Sequence, residues 1–296
     1  KPAFYIVLGV VVVALVGFAI YRFAGSEPDR SNGKGAGTQP GDPQPPTGET
    51  NPGAEAKTLP ADALDLLAAA EEIPSLGPAG EYKLQGDTID VEISEWPGYA
   101  PLIVANGGLD PNPDSYFFKN HGFKLKIAVS EAEAEGWQRL NSGQTAVTVT
   151  TVDVLALYGN QLKIEVPIQL DFSRGGDGIL TLKNITSINQ LKGKRVTVAQ
   201  YTEAEFFIRY MARFAKMSVN RLKDLDDSLD PERINLLYTK TAEDAAEVFT
   251  SSVTNGDGVV SGAVTWSPFT VEVPKEHPDK IRLLVDNRNL LIIGDV

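Results

Sequence analysis

Several aromatic and polar side chains stand directly after hydrophobic runs that are typical of β-strands. Ligands of open α/β sheets sit beyond the carboxyl ends of the strands, where backbone N–H groups at helix starts are unsatisfied. Aromatic rings there can wall an apolar or planar group, while hydroxyls and backbone amides hold a polar head. The pattern therefore predicts a site for a small polar or anionic molecule. The candidate ligand-binding residues are Trp96, Tyr99, Thr150, Thr151, Asp153, Ser173, Arg174, Gly175, Asp177, Thr202 and Trp266.

Each of these candidates also has a structural interpretation. Trp96 and Trp266 are as well suited to core or rim packing as to a ligand wall. Thr151 and Asp153 fit the start of a helix, where they would cap backbone N–H groups. Arg174 can pair with an anionic ligand or with an aspartate of its own loop.

Catalysis finds little support in the sequence, so an enzyme is not expected. Asp171 and Asp177 could be offered as a general acid and base, but carboxylates in a Gly-rich turn are usually turn formers. The chain has no G-x-S-x-G elbow, no phosphate loop ending in G-K-S/T and no H-E-x-x-H. Only two histidines are present, and we predict neither a metal site nor a cofactor.

Composition places the chain among ordinary globular proteins. Of its 296 residues 42% are hydrophobic and 22% charged, enough for a sizeable core. The absence of cysteine excludes disulfides, thiol catalysis and a cysteine-linked lipid anchor. The formal net charge of -12 disfavours nucleic acid, which is bound by clustered Lys and Arg.

The N-terminal part predicts a membrane anchor and a tether. Residues 2 to 21 carry no charge. At about 1.5 Å per residue they match the roughly 30 Å hydrocarbon thickness of a bilayer. We expect residues 1 to 25 to form a single-pass anchor in contact with lipid. Residues 26 to 60 are rich in Pro and Gly and predict a disordered linker that holds the following domain away from the bilayer.

From residue 61 onward, strand-like runs alternate with helical ones, which favours βαβ units and an α/β fold. Residues 61 to 72 read as a helix, and residues 203 to 217 as another with an apolar face that includes Phe207 and Phe214. Glu203 and Glu205 read as a solvated first turn of that helix. A Gly-rich segment within residues 164 to 183 separates two halves. The predicted lobes are residues 61 to 172, incomplete and including the short helix, and residues 173 to 296.

Four segments from about Thr88 to Val296 resemble the periplasmic solute-binding proteins of the nitrate, taurine, aliphatic-sulfonate and thiamine-precursor type. Their order and spacing along the chain agree with that family. The segments are Glu95 to Pro101 (EWPGYAP), Asn141 to Asp153, Gly175 to Val198 with INQLKGKRVTV, and Ala263 to Phe269 (AVTWSPF).

The resemblance implies a two-lobed type II periplasmic-binding-protein-like fold whose interlobe cleft captures a ligand, in the periplasm or outside the cell. It also implies an ABC permease as partner, and that lobe one continues beyond Val296. The anchor and tether differ from the usual family member. They favour an alternative, a sensor or scaffold subunit of a larger membrane complex, with a further C-terminal cell-wall-binding domain as an option.

Overall fold

The computed structural model describes residues 58–130 and 133–296. The predicted membrane segment and nearly all of the predicted linker lie outside these residues. Within the described ranges, no helix combines the length and the apolar composition that a membrane crossing requires.

The described residues form a mixed α/β structure, as the alternation of runs predicts. The strands are β1 (Thr88–Ile93), β2 (Lys124–Val129), β3 (Val147–Thr148), β4 (Asp171–Phe172), β5 (Asp177–Leu182), β6 (Arg195–Ala199), β7 (Val219–Arg221), β8 (Ile234–Thr239), β9 (Gly262–Trp266), β10 (Ile281–Asp286) and β11 (Gly294–Asp295). The α-helices are α1 (Ala61–Leu64), α2 (Ala100–Asn106), α3 (Tyr116–His121), α4 (Glu133–Ser142), α5 (Val152–Tyr158), α6 (Glu203–Phe214), α7 (Ala242–Asn255) and α8 (Phe269–Glu276).

The first sheet has the order β2-β1-β3, with all strands parallel. Its inward side chains, among them Val91, Ile93 and Ile127, pack in one cluster with the buried ring of Tyr99. On another side of this lobe, the ring of Trp137 in α4 stacks on Tyr158 of α5 at 5.5 Å between centroids. We call this part, together with β4 and β11, lobe one.

The second sheet has the order β10-β5-β9-β6-β8-β7. Strands β6 to β9 run parallel, while β5 lies antiparallel to β9 and to β10. Neighbouring residues of one strand enter different clusters, as Leu236 and Leu237 do, because helices cover both faces. Strands buried on both faces have continuous runs of apolar residues, which explains why the strands of this half could be predicted from the sequence. We call this part lobe two.

Two crossovers join the lobes, from β4 to β5 and from β10 to β11. The second one returns the chain to lobe one, since Gly294 and Asp295 pair antiparallel with β4. Residues 294 to 296 therefore leave lobe two, against the predicted boundary of 173 to 296. Thr150 and Val296 exchange both backbone hydrogen bonds, at 3.1 and 2.9 Å, which sets β11 beside the end of β3.

The N-terminal segment departs most from the prediction. Helix α1 ends at Leu64, and Leu67 forms an antiparallel bridge to Thr239 of β8. Leu59 and Ala63 are buried in a cluster of lobe two. The segment therefore begins on lobe two, although the prediction placed it in lobe one. Backbone groups that would have continued the helix bond to a distant strand instead.

The start of α7 is closed by a capping box. Thr241 Oγ1 accepts from the N–H of Asp244 at 3.1 Å, and Asp244 Oδ2 accepts from the N–H of Thr241 at 3.0 Å. We expect Thr241→Ala to lower the free energy of unfolding by about 1 kcal/mol, because the backbone N–H of Asp244 loses its partner. Urea denaturation measures this, with exposed Thr254→Ala at the other end of α7 as the control. A loss of equal size in both variants would contradict the role of the cap.

Candidate functional site

Asn287 links the two crossovers through its side chain. Its Nδ2 donates to Ser173 Oγ at 2.8 Å and to Asp177 Oδ2 at 2.7 Å, while its Oδ1 accepts from the N–H of Gly175 at 2.5 Å. Ser173 Oγ also donates to Asp177 Oδ2 at 2.5 Å. Asn287, Ser173 and Asp177 are all buried. Ser173 and Asp177, which were predicted as ligand contacts, thus form bonds within the connection between the lobes.

Two half-buried tryptophans reach the same crossover from different lobes. Trp96 follows β1, and a Cβ at Gly176 would lie only 2.9 Å from its Cη2. Trp266 ends β9 directly opposite Asp177 of β5, and the next residue, Ser267, donates its N–H to the carbonyl of Gly176 at 2.7 Å. Glycine at 176 leaves room for the indole. The junction therefore has an aromatic side chain on each lobe.

Two carboxyl groups, one buried and one half-buried, lie near the ring of Trp96. Asp295 faces Asp171 across the β4–β11 pair, and the hydroxyl of Tyr99 donates to Asp295 Oδ1 at 3.4 Å. Burial first, and then the adjacent Asp171, raise the pKa of Asp295 to about 8. Burial and the same carboxylates raise the pKa of the Tyr99 hydroxyl. Burial beside Asp171 therefore favours the neutral form of Asp295.

Two further aspartates add to the acidic character of the junction. Burial raises the pKa of Asp153 to about 6, against hydrogen bonds that favour its charged form. Burial also raises the pKa of Asp177, with a contribution from the charge of Asp153. Among the described residues, no three Asp, Glu or His side chains are arranged to hold a metal ion.

The predicted hydroxyl residues are placed at strand ends but make mainly structural contacts. Thr151 is the N-cap residue of α5 without a side-chain cap bond, and it forms a bridge to Asp295. Thr202 is the N-cap residue of α6, and its Oγ1 donates to the carbonyl of Ala199 at 2.9 Å. Their roles as ligand contacts stay predictions.

Arg174 and Gly175 lie at the outer side of the crossover. Arg174 is exposed and makes no ion pair with the residues that the structure describes, so neither Asp171 nor Asp177 holds it. Gly175 has a φ of 90°, a conformation that suits glycine, and a Cβ there would lie 3.4 Å from Arg288 Nε.

Sequence reasoning missed a buried glutamate in α6. Glu205 was expected to be solvated but is 5% exposed. Its Oε1 accepts from the hydroxyl of Tyr238 at 2.8 Å and from Arg209 Nη2 at 2.6 Å. Its Oε2 accepts from the N–H of Tyr201 at 2.8 Å. The position in the first turn gave no signal of this, because the partners come from outside α6 as well as within it.

Asn287 and Asp295 were also missed, although one signal was available. Both lie after β10, in the segment that returns to lobe one. The rule that chose Trp96 and Trp266, polar or aromatic residues just beyond a strand, selects Asn287 as well. The pairing of Asp295 with Asp171 had no local signal, since the two are separated by 124 positions.

No protein-family model matches the chain, and no curated protein matches it significantly. Solved structures do match. The periplasmic aliphatic sulphonate binding protein from Escherichia coli is 12% identical, with 71% of this chain and 65% of that chain covered and a TM-score of 0.46. The alkanesulfonate-binding protein from Xanthomonas axonopodis pv. citri bound to MOPS is 14% identical, with coverages of 72% and 66% and a TM-score of 0.48. An ancestral arginine-binding protein bound to glutamine is 16% identical, with coverages of 72% and 84% and a TM-score of 0.43. The chain thus spans just under two thirds of the two sulfonate-binding proteins.

Proposed function

We propose that this protein is an extracytoplasmic solute-binding protein that holds a small polar molecule between its two lobes. The observation that carries the proposal is that the ring of Trp96 from lobe one approaches Gly176, while Trp266 of lobe two ends the strand paired with the next residue, Asp177. Two lobes joined by two crossover segments can close on a ligand by hinge motion, and aromatic walls supply most of the contact area of small-molecule sites. The roles of the other predicted residues as ligand contacts are part of this proposal.

The charged groups of the junction indicate which class of ligand it favours. The carboxyl groups of Asp153, Asp171 and Asp295 make the local potential negative once they ionise. They favour a ligand that presents hydrogen-bond donors or a positive charge. An anion, which the sequence also allowed, would need some of these groups to stay protonated. Its affinity should therefore rise as the pH falls from 8 to 6.

A thermal-shift screen of the full-length protein tests the proposal. The panel contains sulfonates, nitrate, bicarbonate, phosphonates, pyrimidines, amino acids and simple amines, each at pH 6 and pH 8. A ligand that binds the native state raises the melting temperature by an amount that grows with its excess over Kd. A saturable shift supports solute capture and identifies the ligand class. A folded protein that responds to none of these compounds contradicts it.

Replacing the two tryptophans tests the site itself. We expect Trp96→Ala and Trp266→Ala each to weaken binding of the identified ligand by at least about tenfold, because a buried aromatic contact contributes on the order of 1 to 3 kcal/mol. Isothermal titration calorimetry measures the change. Tyr116→Ala, an exposed aromatic of α3, is the control and should bind normally. Normal binding by both tryptophan variants would place the ligand elsewhere.

The partner follows from the same function. A closed, loaded binding domain would be presented to a membrane protein such as an ABC permease, with the predicted anchor keeping it near the bilayer. A sensor or scaffold subunit of a larger membrane complex is the second candidate. It is favoured by one observation: residues 66 to 80 bond to Tyr238 and Gln200 of lobe two and to Gln138 and Asn141 of lobe one. A domain whose lobes are tied together suits a structural or signalling role better than repeated loading and release.

A further inference from the structure

Residues 66 to 80, which we call the strap, are attached to lobe two at their beginning. The N–H of Ala68 donates to the carbonyl of Tyr238 at 2.9 Å, and the N–H of Lys240 donates to the carbonyl of Leu66 at 3.2 Å. These bonds add the strap, antiparallel, to the carboxyl end of β8. Main-chain bonds of this kind are how an extended peptide adds to a sheet edge.

The carbonyl of Glu71 is the centre of this attachment. It accepts from Gln200 Nε2 at 2.7 Å, and also from the hydroxyl of Tyr201 and from Arg221 Nη2. Gln200 Oε1 also accepts from the N–H of Glu71 at 2.9 Å. The side-chain amide of Gln200 therefore bonds to both backbone groups of Glu71. Tyr201 has a left-handed φ of 62°, unusual for a residue with a Cβ. Lobe two thus holds a built site for peptide backbone, filled by the chain itself.

The end of the strap is attached to lobe one. The N–H of Gly77 donates to Gln138 Oε1 at 2.7 Å, and the carbonyl of Gly77 accepts from Asn141 Nδ2 at 2.7 Å. The N–H of Gly80 donates to the carbonyl of Asn141 at 2.8 Å. Leu76 packs against the cluster around Trp137. Both attachments are thus specific, and they fall on different lobes.

The crossing between the attachments is short. Gln161 of lobe one already holds Pro74, through a bond from its Nε2 to the carbonyl at 3.2 Å. Only Glu72 and Ile73 therefore lie between the last contact on lobe two and the first on lobe one, apart from a 3.9 Å ion pair of Glu72 with Arg221. An extended chain spans at most about 3.5 Å per residue, so this link has little slack.

We infer that the strap is an intramolecular ligand that holds the two lobes at one angle, so that the lobes separate only when one of its attachments is released. The strap lies upstream of β1, on the side of the predicted tether. Events at the tether, such as tension or a partner that captures residues 66 to 72, would then control the cleft. This control requires no solute, so it stands apart from the proposed ligand.

Lengthening the link between the two attachments of the strap tests the inference without disturbing either attachment. Six Gly and Ser residues inserted between Glu72 and Ile73 add up to roughly 20 Å of reach. The chain has no cysteine, so Asn120→Cys on lobe one and Glu247→Cys on lobe two, both exposed, accept spin labels uniquely. Interlobe distances are then measured by double electron–electron resonance in the full-length protein. The control carries the same insertion between Ser228 and Leu229, in an exposed loop of lobe two.

We expect the slack variant to show a broader and longer distance distribution than the control, with unchanged hydrogen exchange at residues 76 to 80. Identical distributions in the two variants would overturn the inference. Gln200→Ala provides a second measurement, since it weakens the attachment at Glu71. It should speed the exchange of the Glu71 amide and broaden the distances together. Faster exchange with unchanged distances also overturns the inference, whatever the outcome of the ligand screen.

Discussion

Replacement of Asn287 by alanine is expected to lower the free energy of unfolding by roughly 2 to 4 kcal/mol. The residue is fully buried, and its amide bonds to Ser173, Gly175 and Asp177 on the other crossover. Removing it leaves a buried carboxylate without its amide donor, and an unsatisfied buried group of this kind costs about 1 to 3 kcal/mol, with more for charged groups. Urea denaturation, with both variants at the same pH, measures the loss.

The comparison variant is Asn189→Ala, at an exposed position of lobe two. It should change stability by no more than about 0.5 kcal/mol. If Asn287→Ala is equally harmless, the two crossovers are not held together by this side chain. Spin labels on the two lobes provide a second readout, because a loosened hinge should broaden the interlobe distances even in the folded protein.

Stability is expected to fall as the pH rises from about 5 to 9. The pKa of Asp153 is raised to about 6 and that of Asp295 to about 8, in each case chiefly by burial. The native state therefore keeps protons that the unfolded chain has already lost, and stability declines wherever the native state binds more protons. The contribution is complete below the ordinary carboxyl pKa near 4 and is lost as the pH passes through 6 and then 8. One pKa unit corresponds to about 1.4 kcal/mol, so we expect a total decline of at least about 2 kcal/mol.

Asp295→Asn should remove much of this dependence. The amide cannot ionise beside Asp171, so the variant should lose less stability between pH 7 and pH 9 than the natural protein. Melting temperatures across this range, with exposed Asp279→Asn as the matched control, measure the difference. A decline as steep in Asp295→Asn as in the control would falsify the assignment of this pH dependence to Asp295.

The strands of lobe two were predictable because their signal is local. A strand covered on both faces needs apolar residues at successive positions, so Val196, Leu236 and Val264 stand out in the sequence. The start of α7 is also a local feature, since its capping box lies within four consecutive residues. The same reasoning placed the Gly-rich segment between the halves. The positions of Trp96 and Trp266 at strand ends followed from the same local reading.

Other features depended on partners far along the chain. Phe214 was expected on the buried face of α6 but is 77% exposed, because the face that packs into lobe two carries Ala204, Phe207 and Ile208. Glu205 is buried because Tyr238 of another strand donates to it. The spacing of residues along a helix cannot predict a hydrogen-bond partner on a distant strand.

By itself, then, the amino-acid sequence determined the α/β class, most strands, the Gly-rich crossover and the candidate aromatic contacts, since each rests on neighbours within a few positions. The tertiary structure decided that residues 66 to 80 tie the lobes together, that Asn287 joins the crossovers and that Asp295 meets Asp171. The physical reason is the same in all three cases. Hydrogen-bond partners and buried charges are chosen by which segments come together in space, and a charge acquires its pKa only from the groups that then surround it.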